Sequence, residues 1–222
     1  MSPRALRLIG RPFLDSVARR SLAGRLVGPP KSRRRLSRAE TKRIIGRLWA
    51  HFDALAPRLP WEPTFGARMN VGLAAVTVAG HRALTESGID PQEAAEVLAE
   101  MAWRVYRTWG LVPGVIARLF TPDPLRRLRI CTGLFRRFPF NPPGYRMEDV
   151  PAEGAVVFAV RRCPVADYFR SQGLSTLCVQ TWCALDEPLA RMWGGALERK
   201  GTLAGGAAQC DFKWVVTKET TP

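Results

Sequence analysis

The feature that most limits what this chain can become is a proline-rich break at Phe138-Pro-Phe-Asn-Pro-Pro-Gly144. Proline lacks a backbone donor and restricts the residue before it, so neither a helix nor a paired strand can run through this stretch. Before it, apolar residues recur with the helical period; after it, short β-branched runs begin. Ser37-Arg-Ala-Glu40 is a capping box, followed by Ile44, Ile45, Leu48, Phe52 and Leu55 on one face, with Pro57 and Pro60 closing the helix. A second helix is expected over about 68–86, with Gly80 inside its apolar face and Gly88 as its stop. Asp90-Pro91-Gln-Glu93 opens a third that ends at Gly110, and shorter helices follow around 113–120 and 123–138.

Beyond the break, Gly154 to Arg161, with Ala-Val-Val-Phe-Ala-Val within, reads as a buried strand, followed by a helix carrying Asp167, Tyr168 and Phe169 and another carrying Cys183 and Asp186. Segments 199–204 and 209–216 flank Gly205-Gly206 as a hairpin. Helices first and strands later predict an α+β fold, a helical half followed by a small antiparallel sheet with packed helices. The expected organisation is a basic, flexible extension over 1–36 and one domain over 37–218, helical from 37 to 138 and mixed from 144 to 217.

The charge is unevenly placed. Of a formal net charge of +15, nearly all sits at the start: residues 1–48 carry fourteen Lys or Arg against Asp15 and Glu40, while 49–222 carry twenty against seventeen acids. The cluster Lys31-Ser32-Arg33-Arg34-Arg35 has no interleaved aromatics, which argues against single-strand nucleic-acid binding. Leu6, Leu8, Ile9, Phe13, Leu14, Val17 and Leu22 could form one face of a basic amphipathic helix suited to a membrane surface, an acidic protein or the domain's own flank. The composition equally fits a solvated tail or an organellar transit peptide. No apolar run reaches the ~20 residues of a membrane span, so a cytoplasmic protein is expected.

Five cysteines, an odd number in a domain of this size, point to reduced thiols. Neither Cys-x-x-Cys nor His-x-x-x-His spacing is present, so no metal and no cofactor is expected. Cys163, Cys183, Asp186, Thr202, Cys210 and Asp211 nevertheless gather within fifty residues beside turns and element ends. Thiolates are the strongest side-chain nucleophiles at neutral pH, and a carboxylate nearby can carry their protons. The alternative is that these cysteines are buried and inert. On a helix Cys183 and Asp186 share a face; on a strand Cys210 and Asp211 diverge, leaving Asp211 a structural role, with a helix N-terminus, Arg161 or Arg162 as partner. Cys163, before Pro164, would sit at a helix N-terminus whose dipole favours the thiolate. Thr202 and Gly205-Gly206 could offer a hydroxyl and backbone amides to an anion.

The ordered set Cys163-Pro164 with Tyr168-Phe169, Cys183 to Asp186, Thr202-Leu-Ala-Gly-Gly206 and Cys210-Asp-Phe212 resembles the L-2-amino-thiazoline-4-carboxylic acid hydrolase family, itself similar to vinyl-reductase-type ligand-binding domains. Asn70 and His81-Arg-Ala-Leu84 extend the resemblance upstream, with His81 where a tyrosine is commoner. It implies hydrolysis of a C–N bond in a cyclic amidine of a small amino-acid-like or natural-product molecule. Cys183, Asp186, Cys210 and Cys163 are then the catalytic candidates. Asn70, His81, Thr202, Gly205, Gly206 and Asp211 are the substrate-binding ones. A non-catalytic binding module of the same fold, or a tailoring enzyme of another reaction type, is the alternative.

Overall fold

A computed structural model describes residues 6–29 and 32–217 of the chain; Lys31 of the basic cluster and the last residue of the expected domain lie outside them. After a short π-helical turn at Leu6–Gly10 come α1 (Arg11–Leu22) and two two-residue strands, β1 (Leu26–Val27) and β2 (Arg34–Arg35), which pair antiparallel. Three long helices follow: α2 (Arg38–Leu55), α3 (Phe65–Thr85) and α4 (Pro91–Phe120). α5 (Pro124–Arg137) leads through the proline-rich break to β3 (Arg146–Val150) and β4 (Ala155–Arg162). Then come α6 (Pro164–Ser171), α7 (Ser175–Thr181), a 3-10 turn at Cys183–Leu185, α8 (Asp186–Met192), β5 (Gly195–Glu198) and β6 (Cys210–Val216). The last four strands form one antiparallel sheet in the order β3-β4-β6-β5, an α+β arrangement.

The helix starts follow the local chemistry. Ser37 accepts from the Glu40 backbone N–H while the Glu40 carboxylate accepts from the Ser37 N–H, and Asp90 caps Gln92 and Glu93. α3 is built for close approach: Ala67, Ala74, Ala75, Ala79 and Ala83 are fully buried, and a Cβ on Gly80 would stand 2.7 Å from Leu98 of α4. Gly80, inside the apolar face, is thus what lets α4 pack against α3.

α4 does not stop at Gly110 but runs on through Pro113. A side chain at Gly110 would collide with Leu189 and Met192 of α8, and the Gly110 carbonyl accepts from the indole Nε1 of Trp193 at 2.8 Å. Pro113 leaves the Trp109 carbonyl without its helical donor, while α8 packs against the adjoining Gly110.

A flexible extension ending at residue 36 does not describe residues 6–29. Leu6, Leu14, Val17 and Leu22 are buried in the helical core, while Leu8, Ile9 and Phe13 of the same expected face are exposed. Asp15 accepts from Trp49 Nε1 at 2.6 Å, Arg25 pairs with Glu100 at 2.6 Å, and Glu93 accepts from the Gly28 N–H at 3.0 Å. Enough apolar surface lies between its arginines for α1 to dock on α2 and α4.

Two buried clusters result. One joins α1–α4 with α6 and α7; the other lies between the sheet, α5, α8 and the second half of α4. Cys163 and Leu203 pack against both.

Candidate functional site

The sheet cluster is not filled. A cavity of about 110 Å³ opens within it, walled by Tyr106 of α4, Phe135 of α5, the faces of β4 and β6, and the chain from Cys178 to Trp193. Alternation along β6 turns Cys210, Phe212 and Trp214 to the cavity and Asp211 and Lys213 away. Phe158 of β4 lies opposite Phe212 in the ladder; the two rings stack at 5.1 Å, and Phe212, Trp214 and Trp193 continue the stack.

Four thiols line this space: Cys163, Cys178, Cys183 and Cys210. The three candidate thiols, Cys163, Cys183 and Cys210, therefore meet, joined by Cys178, which its spacing had not distinguished from core. Cys131, the fifth, is buried outside it, and burial pushes its thiol up to about 12.

The thiols differ in electrostatics. Burial pushes Cys163 well above its ordinary range despite the Ala166 and Val165 backbone N–H groups, so the helix-dipole expectation fails: desolvation outweighs the first turn of an eight-residue helix. Cys210 is pushed up to about 11 by burial, against the Leu203 N–H that donates to its sulfur at 3.2 Å. Cys183 alone moves down. Its first cause is the Cys178 thiol, which donates to it and is itself raised, and Arg199 and the Thr202 hydroxyl act in the same direction. Cys178 and Cys183 thus titrate as a pair in which Cys183 gives up its proton first.

Asp186 also faces the cavity, but not from the same helix. Cys183 opens the 3-10 turn and Asp186 begins α8; three-residue spacing on a 3-10 turn still puts both on one side. Asp186 Oδ2 accepts from Arg199 Nη1 at 2.6 Å, both side chains being only 16% exposed, and Arg199 Nη2 donates to the Cys183 carbonyl at 2.8 Å. Burial raises Asp186 to about 6, with Arg199 opposing. Burial would lower Arg199, but Asp186 outweighs it and the net direction is up. The ion pair holds, with the carboxyl left close to neutrality.

Arg199 was missed because it follows β5 in a segment that reads as a strand. That strand is Gly195–Glu198, and 199–209 is a loop, so Gly205-Gly206 is not a hairpin tip. The amides expected to face an anion are consumed locally: Gly205 N–H donates to Thr202, Gly206 N–H to the Leu203 carbonyl and Ala207 N–H to the Thr202 carbonyl. Gly206, at φ +90°, is needed for that turn. Thr202 sits behind Cys183 and does not line the cavity.

Asp211 accepts from the Lys200 and Gly201 N–H groups at 3.0 and 2.8 Å, pinning the base of this loop. The structural role expected for it holds, with different partners: Arg161 pairs with Glu148, and Arg162 makes a two-point bond to the buried Glu62.

Asn70 is fully buried on α3, where its Nδ2 donates to Tyr145 Oη at 2.9 Å. It therefore stands behind a wall of the cavity rather than in it. His81 lies three turns further along α3, away from the cavity, pushed down by burial and then by Arg82. Tyr106 and Tyr145, both raised by burial, replace these two at the wall; no spacing signal pointed to them. Among the described residues no cluster of His, Cys, Asp or Glu is arranged to hold a metal, and no helix is long and apolar enough to cross a membrane.

No curated protein matches the chain. A family model does, over residues 121–214, which include β3–β5, β6 as far as Trp214, all four cavity thiols and the Asp186–Arg199 pair, but neither Asn70 nor His81. The likeness to vinyl-reductase-type domains is not part of that match. The segment that builds most of the cavity wall carries the signature of the L-2-amino-thiazoline-4-carboxylic acid hydrolase family.

Proposed function

We propose that the protein is a hydrolase that opens a C–N bond of a thiazoline-type cyclic amidine in a small amino-acid-like or natural-product intermediate. Cys183 is the nucleophile and Asp186 the proton carrier. The observation that supports this best is geometric: Cys183 and Asp186 face one cavity from adjoining turns, and one guanidinium, Arg199, bonds both the Asp186 carboxylate and the Cys183 carbonyl. The Asp186 carboxyl is buried and raised to about 6.

Cys183 Sγ bonds to the amidine carbon, and the electron pair of the C=N bond moves to the ring nitrogen, which takes the Asp186 proton. Asp186 then accepts a proton from the exocyclic nitrogen and passes it to the ring nitrogen as the C–N bond breaks. Water adds to the carbon now held by sulfur; its carbonyl forms, Cys183 leaves as thiolate and the released proton returns to Asp186. Cys178 holds the departing thiolate by S–H donation, and Arg199 keeps Asp186 oriented.

Cys183→Ser tests the assignment. Turnover of a 2-aminothiazoline should fall by roughly a thousandfold or more, with stability changed by about 1 kcal/mol at most. Retained turnover would remove Cys183 from the mechanism. The second reading, a non-catalytic binding module, draws on the three raised thiols. Under it, iodoacetamide would alkylate all five cysteines slowly, where a nucleophile requires one fast site lost in Cys183→Ser.

A further inference from the structure

We infer that the cavity takes a cyclic amidine whose ring bears an aromatic or bulky uncharged substituent, in place of the carboxylate named by the matched family. The inference rests on the reading above for the polar end of the substrate and on the cavity's own walls for the other end.

Nine of the lining side chains are aromatic, and four of them, Phe158, Phe212, Trp214 and Trp193, form a continuous stack along one side. A flat or branched apolar group packs against such a surface with offset-stacked or edge contacts. The charged residues on the lining are Asp186, Arg199 and Arg136. Both arginines already hold a carboxylate: Arg199 holds Asp186 and spends its other terminal nitrogen on the Cys183 carbonyl, and Arg136 holds Asp149 at 2.5 Å. Each guanidinium also lies over a ring of the stack, Arg136 over Phe158 and Arg199 over Phe212. A substrate carboxylate would therefore be desolvated among rings without a cation of its own.

Buried polar groups suit an uncharged ligand better. The indole N–H of Trp214, a residue 3% exposed on the cavity wall, has no hydrogen-bond partner among the described residues. It can donate to a neutral acceptor such as a ring sulfur, ether or carbonyl oxygen.

The experiment compares two probes that differ at one position, 2-amino-4-phenyl-thiazoline and 2-amino-thiazoline-4-carboxylate. Binding is measured to the full-length Cys183→Ser protein by quenching of its tryptophan fluorescence and by calorimetry, so that it does not depend on turnover. Hydrolysis of each probe is measured with the unsubstituted protein. The phenyl compound is expected to bind at least tenfold more tightly and to be the better substrate. Tighter phenyl binding without hydrolysis of either probe would sustain the substrate class and remove the hydrolytic reading. Equal or tighter binding of the carboxylate would overturn the substrate class, and its hydrolysis would leave the reaction standing. Failure of both probes to bind would overturn the substrate class as well.

Discussion

The two cores of this molecule treat their interiors in opposite ways. The helical core, from α1 to α4, packs alanines, glycines and interlocked aliphatic side chains around a smaller, apolar gap of about 50 Å³ beside Leu14, Val76 and Met101, and ionisable groups near it, such as Asp15 and Glu100, sit at its rim in hydrogen bonds. The sheet core uses larger rings, which pack with a gap, and places thiols and a carboxylate-guanidinium pair around that gap. Close packing maximises dispersion and burial; an unfilled site gives up part of both. The helical side contributes most of the close-packed aliphatic core, and the sheet side brings most of its ionisable groups to face a cavity.

That contrast is most severely tested by removing residues 1–36. Six large apolar residues, Leu6, Leu14, Val17, Leu22, Val27 and Leu36, would leave the helical core together with Ala18. At about 1.5–3 kcal/mol per large buried side chain, more than about 5 kcal/mol should be lost. The melting temperature should drop by ten degrees or more, and an unchanged melt would show α1 to be dispensable. Phe52→Ala, in the middle of that core, should cost about 3–5 kcal/mol while the alkylation rate of Cys183 in the folded protein stays as it was. A changed rate would couple the two regions more tightly than the packing indicates.

Asp186 sharpens the other side of the comparison. Its carboxyl is raised from 3.8 to about 6, so the folded state binds its proton more tightly than the unfolded chain does. Stability from this group is therefore present below about pH 4 and is lost as the pH rises towards 6, by on the order of 3 kcal/mol. Asp186→Asn should remove that slope from a pH series of chemical denaturation, and should remove the inflection near pH 6 from the kcat/KM profile. Persistence of both features would assign them to another group. The smallest effect belongs to Ser37→Ala, which deletes one side of the capping box: about 1 kcal/mol of stability, with kcat unchanged.

What could be read from the sequence was local. The capping box at Ser37, the Asp90-Pro91 helix start, the strand expected over 154–161 and the opposite facing of Cys210 and Asp211 all depend on neighbours within a few residues, and all are found in place. The convergence of Cys163, Cys183, Cys210 and Asp186 was expected from their ordered resemblance to a family. What escaped was set by distant contacts. α4 runs on past Gly110 and Pro113 with α8 and Trp193 packed against it at Gly110, and Arg199 matters because Asp186 is buried opposite it. β3, with four of its five residues exposed or nearly so, has little apolar alternation and pairs through its backbone with β4. Asn70, His81, Gly205 and Gly206 were singled out by pattern alone, and the packing directs their polar groups elsewhere.

One consequence follows from the length of α4. At 1.5 Å per residue its thirty residues span about 45 Å, and it contributes Val97 and Leu98 to the helical core and Tyr106 and Ala117 to the sheet core. A single rod anchored in both interiors makes it costly for either to melt while the other stands, so heat should unfold the chain in one cooperative transition. The segment that matches the family model begins at residue 121, one residue past the end of that rod. Cut out by itself, it would lose Tyr106 and the carbonyl that anchors Trp193, and would present its ring-lined wall to water as a surface prone to self-association.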